Sequence, residues 1–472
     1  MPSAPLRDHA IEIVRKLHSR GFQALWAGGC VRDMLLEQEP QDYDIATNAN
    51  PDEVIDIFPG ALEVGAHFGV VVVQLGGHPF EVARFREDVG YSDGRRPDRV
   101  IFSNEQKDAL RRDFTVNGMF YDPIQDRVID YVGGQRDLRL KVIRTIGPPE
   151  QRFGEDRLRM MRAVRFACRY TWRIGPETFR TIGRLSATLP EVSSERIRDE
   201  LIQILTEGGA ALGVRWLIDL GLMAHIVPEV LDLAGVRQPP AFHPEGDVLT
   251  HTLMMLGLMR SPTPELAMGV LLHDVGKPKT FQVADRIRFD NHTRVGAEMA
   301  ETICRRLRFS ADQTRHIVRL VADHHRFMHV RQMRPSRLKR FLRTERFEDH
   351  LELHRIDCLA SHGNLENHTF CRTALEELGP EEIRPAPLIT GHDLIRLGYS
   401  PGPAFKRVLT AVENAQLEGV VGDYEGALAL AREIFCDMGV SSTDRGLGGE
   451  SGRKADIKRD RPSVCEPGNR YG

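Results

Sequence analysis

The sequence lacks several features that would assign it to a class at once. Its seven cysteines lie at positions 30, 168, 304, 358, 371, 436 and 465 with no CxxC pair, which excludes a zinc ribbon or a disulfide framework and suits a reducing compartment. No run approaches the roughly 20 apolar residues of a membrane span. The charged stretch from Met1 to Gly21 also lacks the apolar segment of a signal peptide. We therefore expect a cytoplasmic protein that makes no membrane contact.

The sequence also lacks a strong excess of one charge. The net charge of −3 over 472 residues gives no global basic field that would attract nucleic acid, so any such contact must come from local clusters. Breaks at Pro239-Pro240 and near Pro380, together with shifts in composition, divide the chain. The predicted domains are 1–135, 136–238, 239–365 and 366–437, followed by a tail at 438–472.

The first of these regions mixes helix and strand, whereas the next three have helical patterns. An opening helix over Asp8 to Ser19 precedes short β-branched runs at Val70–Leu75, His78–Ala83 and Val128–Val132, which predict strands. The tail is rich in Ser, Gly, Arg and Asp and cannot bury a core, so it is expected to be disordered. We therefore predict an α+β fold class.

Two carboxylates provide the most informative feature of the first region. Asp42 and Asp44 are two residues apart on a predicted strand, so their side chains point to one face, and paired oxygen ligands suit Mg²⁺. Upstream, Gly28-Gly29 separates an apolar run from a helix start, and backbone amides at such a turn can hold phosphate. Arg32 adds a charge-assisted donor. Together these residues predict a nucleotidyl-transfer site.

Two further groups extend this predicted site. Glu81 is the candidate for a third catalytic carboxylate, although a solvated residue at a sheet edge is an equally good interpretation. Arg111 and Arg112 could brace triphosphate oxygens, because a guanidinium binds phosphate in a bidentate manner. In the same segment, Asp113 follows the arginines and Asn117 could bind a ribose hydroxyl. Taken alone, this segment could also be a surface turn.

A predicted helix over Glu155 to Phe166 carries arginine at every third position. These residues are Arg159, Arg162 and Arg165, and Asp156 stands at the head of the helix. Cytosine and adenine both present an amino group beside a ring-nitrogen acceptor, so an Asp that accepts and an Arg that donates would admit both. Uracil and guanine would leave both partners unpaired, at about 1–3 kcal/mol each. The alternative is a solvated basic face paired to Asp156.

These motifs, in this order, resemble those of class II tRNA nucleotidyltransferases, the CCA-adding enzymes, and of the related bacterial poly(A) polymerases. The resemblance spans roughly residues 20 to 235 and rests on the following motifs: Gly28-Gly29-x-x-Arg32-Asp33, Asp42-x-Asp44, Arg111-Arg112-Asp113-x-x-x-Asn117 and Glu155-Asp156-x-x-Arg159. It implies a small polymerase-β-like nucleotidyltransferase head at 1–135, then an elongated all-α neck that binds RNA, an HD-type helical domain and a helical tail that contacts tRNA. The implied roles are metal binding by Asp42 and Asp44 and nucleotide binding by Arg112, Asp156, Arg159, Arg162 and Arg165.

The resemblance also implies the substrates, which are CTP, ATP and the acceptor end of tRNA. The related poly(A) polymerases tend to have a Gly-Arg-Arg-Phe-like run after the Asp-x-Asp pair, whereas this chain has Gly65-Ala66-His67-Phe68-Gly69, which looks more like the CCA-adding form. We therefore predict a template-independent enzyme that adds or repairs the 3′-CCA end. Poly(A) addition, or addition of A alone or C alone, remains the alternative.

A histidine-rich region follows the neck. The order of His251, His273-Asp274 and Asp357 resembles the HD phosphohydrolase superfamily, and this ligand set suits Mn²⁺, Ni²⁺, Fe²⁺ or Mg²⁺. A second metal position could use His292 and the pair His324-His325. The alternative is a set of histidines satisfied within a helical core. A phosphohydrolase activity of this region on RNA 3′ ends or nucleotides could accompany nucleotide addition. A rival function from another class is a metal-dependent phosphohydrolase with the head as a nucleotide-sensing module.

Overall fold

The structure is a computed structural model that describes residues 6–64, 69–91, 97–240 and 243–440. Of the features predicted above, residues Gly65 to Phe68 and positions 441–472 of the tail lie outside these ranges. None of the helices in the described ranges combines the length and the apolar character needed to cross a membrane.

The strands build a mixed sheet near the N-terminus and three short two-stranded pairs. In chain order they are β1 (Ala24–Ala27), β2 (Ile45–Thr47), β3 (Leu62–Glu63), β4 (Val70–Leu75), β5 (His78–Arg84), β6 (Arg86–Val89), β7 (Arg99–Phe102), β8 (Phe120–Asp122), β9 (Arg127–Ile129), β10 (Val142–Ile143), β11 (Arg173–Ile174), β12 (Phe281–Val283) and β13 (Ile287–Phe289). The seven-stranded sheet has the order β3-β4-β5-β2-β1-β8-β9. Within it, β2 and β5 are parallel, and the other paired strands are antiparallel.

The helices account for most of the remaining chain. They are α1 (Leu6–Ser19), α2 (Gly29–Leu35), α3 (Pro51–Ile57), α4 (Glu105–Arg111), α5 (Gly134–Leu140), α6 (Pro149–Glu155), α7 (Arg159–Tyr170), α8 (Pro176–Leu185), α9 (Ser194–Thr206), α10 (Ala210–Asp219), α11 (Met223–Ile226), α12 (Val248–Leu258), α13 (Pro264–Leu272), α14 (Lys277–Thr280), α15 (His292–Arg306), α16 (Ala311–Asp323), α17 (Pro335–Leu342), α18 (Phe347–Ala360), α19 (Glu366–Glu377), α20 (Pro380–Ile383), α21 (Gly391–Arg396), α22 (Pro403–Leu417) and α23 (Tyr424–Asp437). Short 3₁₀ turns occupy Thr115–Asn117, Ser186–Glu191, Pro228–Leu233 and His324–Gln332.

The predicted opening helix and the strands predicted over 70–75 and 78–83 are confirmed, and the strand predicted over 128–132 is shorter than expected. Helix α1 buries Ala10, Ile13, Val14 and Leu17, whose spacing of three to four residues places them on the face packed in the core of the sheet. The strand predicted over 128–132 ends at residue 129. It ends there because the Asp130 carboxylate accepts bonds from the backbone of residues 132, 134 and 135 and so begins the turn into α5.

The predicted continuous helix over 155–166 is wrong. Helix α6 ends at Glu155, Asp156 has extended backbone with φ −151° and ψ 111°, and α7 begins at Arg159. The Asp156 side chain accepts a bond from the Leu158 amide at 3.0 Å, and such a local bond competes with helix formation. Asp156 therefore lies in a break between two helices instead of at the head of one.

The described residues form two compact units. One lies within 1–332 and 344–376, and the other within 333–343 and 377–472. The second unit has its own apolar core, which includes Leu394, Val408 and Phe435, and the Tyr399 ring stacks on the Phe435 ring at 3.8 Å. The domain boundaries given above stay predictions.

Candidate nucleotide site and histidine cluster

Asp42 and Asp44 lie on the extended segment just before β2, not within the strand as predicted. The alternation of the strand already holds there, because both carboxylates are exposed and Tyr43 between them is buried against Trp26. The Ala27 amide donates to the Asp44 carbonyl at 2.9 Å, which fixes this segment beside the end of β1. Both carboxylates therefore face the same side of the sheet.

Glu81 lies beside Asp44 on the neighbouring parallel strand. The register pairs Ile45 with Val82, so the residues that precede them are also adjacent. Although Asp44 remains open to solvent, the protein packed around it partly desolvates its carboxylate; this desolvation, followed by the charges of Asp42 and Glu81, raises the pKa of Asp44 to about 6, and Arg112 opposes the shift. Crowding of negative charge is a condition that a divalent cation relieves, so Asp42 and Asp44, which line one cavity, fit a Mg²⁺ site.

A cavity of about 540 Å³ brings the predicted nucleotide-site residues together. It is lined by the following predicted residues: Gly28, Gly29, Arg32, Asp42, Asp44, Arg111, Arg112, Asp113, Asn117, Asp156, Arg159, Arg162 and Arg165. Glu81 is not among the lining residues. The cavity is therefore lined by residues from all four motifs and from α7. The first and last of these predicted residues, Gly28 and Arg165, are 137 positions apart in the sequence.

Gly28 connects β1 to α2 and requires the absence of a side chain. Its φ is 76°, and an added Cβ would lie 2.8 Å from Nη1 of Arg112. The amide of Gly28 donates to the Met119 carbonyl at 3.2 Å, so this amide already has a partner inside the protein. The left-handed backbone at Gly28 is thus the main reason for glycine here, and the close approach of the Arg112 guanidinium adds to it.

The arginines of the third motif pair with an acidic residue that the sequence did not single out. Arg111 and Arg112 both contact Asp108, at 2.7 and 3.0 Å respectively. Asp113 accepts two bonds from Arg162 at 2.7 and 2.9 Å, and, against the effect of burial, Arg162 lowers the pKa of Asp113 to about 2. This pair joins the head motif to helix α7.

Asn117 already makes two hydrogen bonds within the protein. Its Oδ1 accepts from Arg32 at 2.7 Å, and its Nδ2 donates to Asp113 at 3.2 Å. The side-chain amide has a second N–H and a second lone pair, so the predicted contact to a ribose hydroxyl is compatible with these bonds and stays a prediction.

Both predicted base-reading groups have protein partners. Asp156 binds Arg196 at 2.7 and 3.2 Å, and Arg159 binds Glu155 at 2.6 Å. Arg196 also lines the cavity, but it lies 40 residues after Asp156 and no local motif marks it. The donors and acceptors of this pair are therefore held in place by other side chains of the protein.

The arginine stripe of α7 does not face solvent uniformly. Arg162 turns to Asp113, whereas Arg165 is buried and contacts Glu200 at 2.5 Å and Glu207 at 3.3 Å. Five further lining residues were not predicted as site residues: Asp33, Gln41, Leu158, Phe166 and Arg169. Predicted residues lie close to them in the sequence. Which side chains of α7 face the cavity depends on where that helix begins, and the prediction let the helix run through Asp156 instead of starting at Arg159.

The predicted histidines converge on Asp274. The Nε2 atoms of His273, His324 and His292 lie 3.1, 3.7 and 3.9 Å from its carboxylate oxygens. The Nδ1 atoms of the same three rings lie 2.8 to 2.9 Å from backbone carbonyls, so each Nδ1 donates its proton there and Nε2 is the ring nitrogen directed at Asp274. Burial lowers the pKa of His324 to about 3, which keeps that ring neutral.

The remaining predicted ligands flank this group. Nε2 of His251 lies 3.2 Å from Asp357 Oδ1, and the His251 ring is 5.4 Å from the His273 ring. His325 is exposed, and its ring is 5.4 Å from that of His292. Within the described ranges, Nε2 of His273 and Nε2 of His292 are buried and make no hydrogen bond, which fits a metal ion as their partner.

Three residues beside this cluster were missed. Glu245 Oε1 lies 2.7 Å from Nδ1 of His251 and 2.9 Å from Nδ1 of His243. Lys277 Nζ lies 2.6 Å from Asp274, although it is largely buried. The run His273-Asp274-Val275-Gly276-Lys277 contained this lysine, so a search for cations near the predicted ligands could have found it.

Family models match three separate stretches of the chain. The Poly A polymerase head domain matches residues 24–144, the probable RNA and SrmB-binding site of polymerase A matches 173–233, and the HD domain matches 248–354. A CCA-adding enzyme of Lactobacillus johnsonii is 30% identical over 421 residues, which is 89% of this chain and 95% of the relative. The chain belongs to the family of CCA-adding enzymes and poly(A) polymerases.

Other members of the family are similar over different lengths. A poly(A) polymerase I of Salmonella typhi is 37% identical over 239 residues, but this covers 48% of the chain and 51% of that relative. Among solved structures, a CCA-adding enzyme of Bacillus stearothermophilus in complex with CTP superposes with a TM-score of 0.72 at 26% identity and covers 92% of this chain and 99% of that one. The predicted α+β fold class with a sheet-containing head is confirmed by this likeness.

Proposed function

We propose that the chain is a template-independent tRNA nucleotidyltransferase that adds or repairs the 3′-CCA end from CTP and ATP. The observation that carries this proposal is the single cavity that gathers the carboxylates, the arginines and the Asp156–Arg159 pair. Similarity to the CCA-adding enzymes along nearly the whole chain favours this activity over poly(A) addition, for which the similarity covers about half.

In the proposed reaction, the 3′-hydroxyl oxygen of the RNA forms a bond to the α-phosphorus of the nucleotide. The bond from that phosphorus to the oxygen that bridges to the β-phosphate breaks, pyrophosphate leaves, and the hydroxyl proton passes to solvent. Asp42 and Asp44 would hold Mg²⁺, with Glu81 behind Asp44. When bound, the ion neutralises developing charge on the phosphates and orients the hydroxyl.

The arginines and the Asp156–Arg159 pair divide the recognition of the nucleotide. Arg32 and Arg112 lie beside the Gly28-Gly29 turn, Arg111 lines the same cavity, and all three would bind the triphosphate. Asp156 would accept from the amino group of cytosine or adenine, and Arg159 would donate to the adjacent ring nitrogen. Their present partners, Arg196 and Glu155, keep both side chains ordered until a base replaces or shares these bonds.

We further propose a second, metal-dependent phosphohydrolase site at the histidine cluster. His251, His273, Asp274 and Asp357 would hold a first ion, and His292, His324 and His325 would complete a second position. Imidazoles whose Nδ1 atoms are fixed by carbonyls direct Nε2 to the site and would serve as ligands for Mn²⁺, Ni²⁺, Fe²⁺ or Mg²⁺. Its substrates would be RNA 3′ ends or nucleotides.

One experiment tests the main proposal against its rivals. The purified chain is incubated with labelled CTP or ATP, Mg²⁺ and a tRNA that lacks its terminus. Growth by three nucleotides is the expected result. Long A tails on unstructured RNA would identify a poly(A) polymerase, and addition of A alone or C alone would identify a partial enzyme. Loss of phosphate without growth would favour a phosphohydrolase with a nucleotide-sensing head.

A further inference from the structure

The Arg32 guanidinium is held at the floor of the cavity by three bonds. Its Nε and Nη2 donate to the Asp33 carboxylate at 2.8 and 3.0 Å, and its Nη1 donates to Asn117 at 2.7 Å. Arginine has five N–H donors, so these bonds leave one on Nη1 and one on Nη2. Nη2 lies 3.7 Å from the position that a Cβ on Gly29 would occupy, which places a remaining donor beside the Gly28-Gly29 turn.

The last residue of α7 completes this arrangement. The Tyr170 hydroxyl donates to Asp33 Oδ1 at 2.9 Å, the same oxygen that accepts from Arg32 Nε. The guanidinium carbon of Arg32 is 5.1 Å from the centre of the Tyr170 ring and 5.2 Å from that of Phe166. Both rings come from α7, whereas Arg32 and Asp33 come from α2. The contacts therefore connect the helix that follows the base-reading break to the turn that would receive phosphate.

We propose that Tyr170 is a positioning residue for triphosphate binding, acting through Asp33 on Arg32. The hydroxyl fixes the Asp33 carboxylate, and the carboxylate fixes the plane of the guanidinium, so that its two remaining donors point to the phosphates. The proposal rests on the proposed nucleotidyltransferase function. Because every nucleoside triphosphate has the same phosphate chain, the effect of Tyr170 is expected to be equal for CTP and ATP and to leave base selection unchanged.

The test separates the hydroxyl from the ring. Tyr170→Phe removes only the hydroxyl, Tyr170→Leu removes both contacts, and Tyr131→Phe, which loses a hydroxyl bond to Glu105 elsewhere in the head, is the matched control. Steady-state addition to a tRNA that lacks its terminus is measured for CTP and ATP, with UTP and GTP as competitors. For Tyr170→Phe we expect KM to rise about fivefold for both nucleotides and kcat to stay within twofold, because loss of one bond to a charged group weakens ground-state binding. Tyr170→Leu should have a larger effect, and the control none.

A double-mutant cycle shows whether Tyr170 acts through Arg32. Arg32→Lys keeps the charge but not the planar donors, and should raise KM itself; adding Tyr170→Phe to it should then raise KM less than twofold. Unchanged KM in Tyr170→Phe, multiplication of the two effects, or altered selection against UTP would overturn the positioning role while leaving the nucleotidyltransferase function intact. A parent protein that adds no nucleotide would overturn the proposed function and this inference with it.

Discussion

The cavity in the head and the histidine cluster are both suited to phosphate chemistry, but they prepare their charged groups in opposite ways. In the cavity, arginines and carboxylates are partly exposed and neutralise one another in pairs, such as Arg162 with Asp113 and Arg159 with Glu155. In the cluster, Asp274 is buried, and imidazoles whose Nδ1 atoms contact backbone carbonyls surround it. The first arrangement can exchange partners when a nucleotide arrives. The second keeps its lone pairs aimed at one point, as a metal site requires.

The largest effect is expected from the carboxylates of the head. Asp42→Ala or Asp44→Ala should lower nucleotide addition at least about 100-fold, because each removes a ligand and leaves transition-state charge unbalanced. Folding should change little, since both side chains are exposed before β2. Single-turnover addition is measured beside thermal unfolding, and Asp56→Ala, exposed on α3, is the control. Activity within tenfold of the parent in either variant would exclude the metal role.

The next prediction separates the two regions. His273→Ala or Asp274→Asn should remove bound metal and any phosphatase or phosphodiesterase activity, while nucleotide addition stays within about twofold, since the cavity shares no ligand with the cluster. Metal content and both activities are measured on the same preparation. If addition collapses in a protein that remains folded, the two sites are coupled. If the parent holds no metal after growth with Mn²⁺ or Ni²⁺, the cluster is a structural core.

A smaller effect is expected from the base-reading pair. Asp156→Ala or Arg159→Ala should reduce discrimination against UTP and GTP by about 10- to 100-fold, since about 1–3 kcal/mol per unpaired polar group is lost from selection. Relative kcat/KM values for the four nucleotides measure this. Arg157→Ala is the control, because Arg157 contacts Glu191 and the Phe153 carbonyl instead of the cavity. Intact selectivity with slower turnover would show that the pair does not read the base.

The smallest effect concerns two histidines that are buried away from water. Burial lowers the pKa of His350 to about 4 and that of His354 to about 4, on helix α18. Between about pH 6.5 and 4, the unfolded chain therefore binds more protons than the folded chain. The contribution of these two histidines to the free energy of unfolding is present above pH 6.5 and is lost as the pH falls through that window. The expected slope is about 1.4 kcal/mol per pH unit for each residue.

Urea unfolding at pH 7, 6 and 5 tests this linkage. His350→Leu should flatten the decline in the free energy of unfolding, whereas His225→Leu, on an exposed position of α11, should leave it unchanged. An equal pH slope in the parent and in His350→Leu would show that water reaches this histidine in the folded protein.

Local spacing was sufficient for some residues and insufficient for others. Gly28, Arg32, Asp42 and Asp44 could be named because each lies within a few residues of its functional neighbours. The break at Asp156 was missed because the three-residue arginine repeat continues past it, and the side-chain bond that ends the helix has no periodic signature.

The remaining features depend on contacts between distant segments. Arg196 meets Asp156 across 40 residues, and Tyr170 meets Asp33 across 137, so no window of sequence contains either pair. The parallel pairing of β2 and β5, which brings Glu81 beside Asp44, likewise follows from the order of strands in the sheet. The fold class was predictable from composition and motifs, whereas these neighbours required the three-dimensional arrangement.

The paired arginines of the cavity have a consequence for ionic strength. A triphosphate that enters would replace carboxylates as the partner of Arg112 or Arg162, so its affinity would be a difference between two sets of ion pairs. Dissolved salt screens both sets. The affinity for nucleotide should therefore depend only weakly on salt concentration. Long-range attraction contributes little to the speed of its arrival, and discrimination between nucleotides is left to the contacts made after entry.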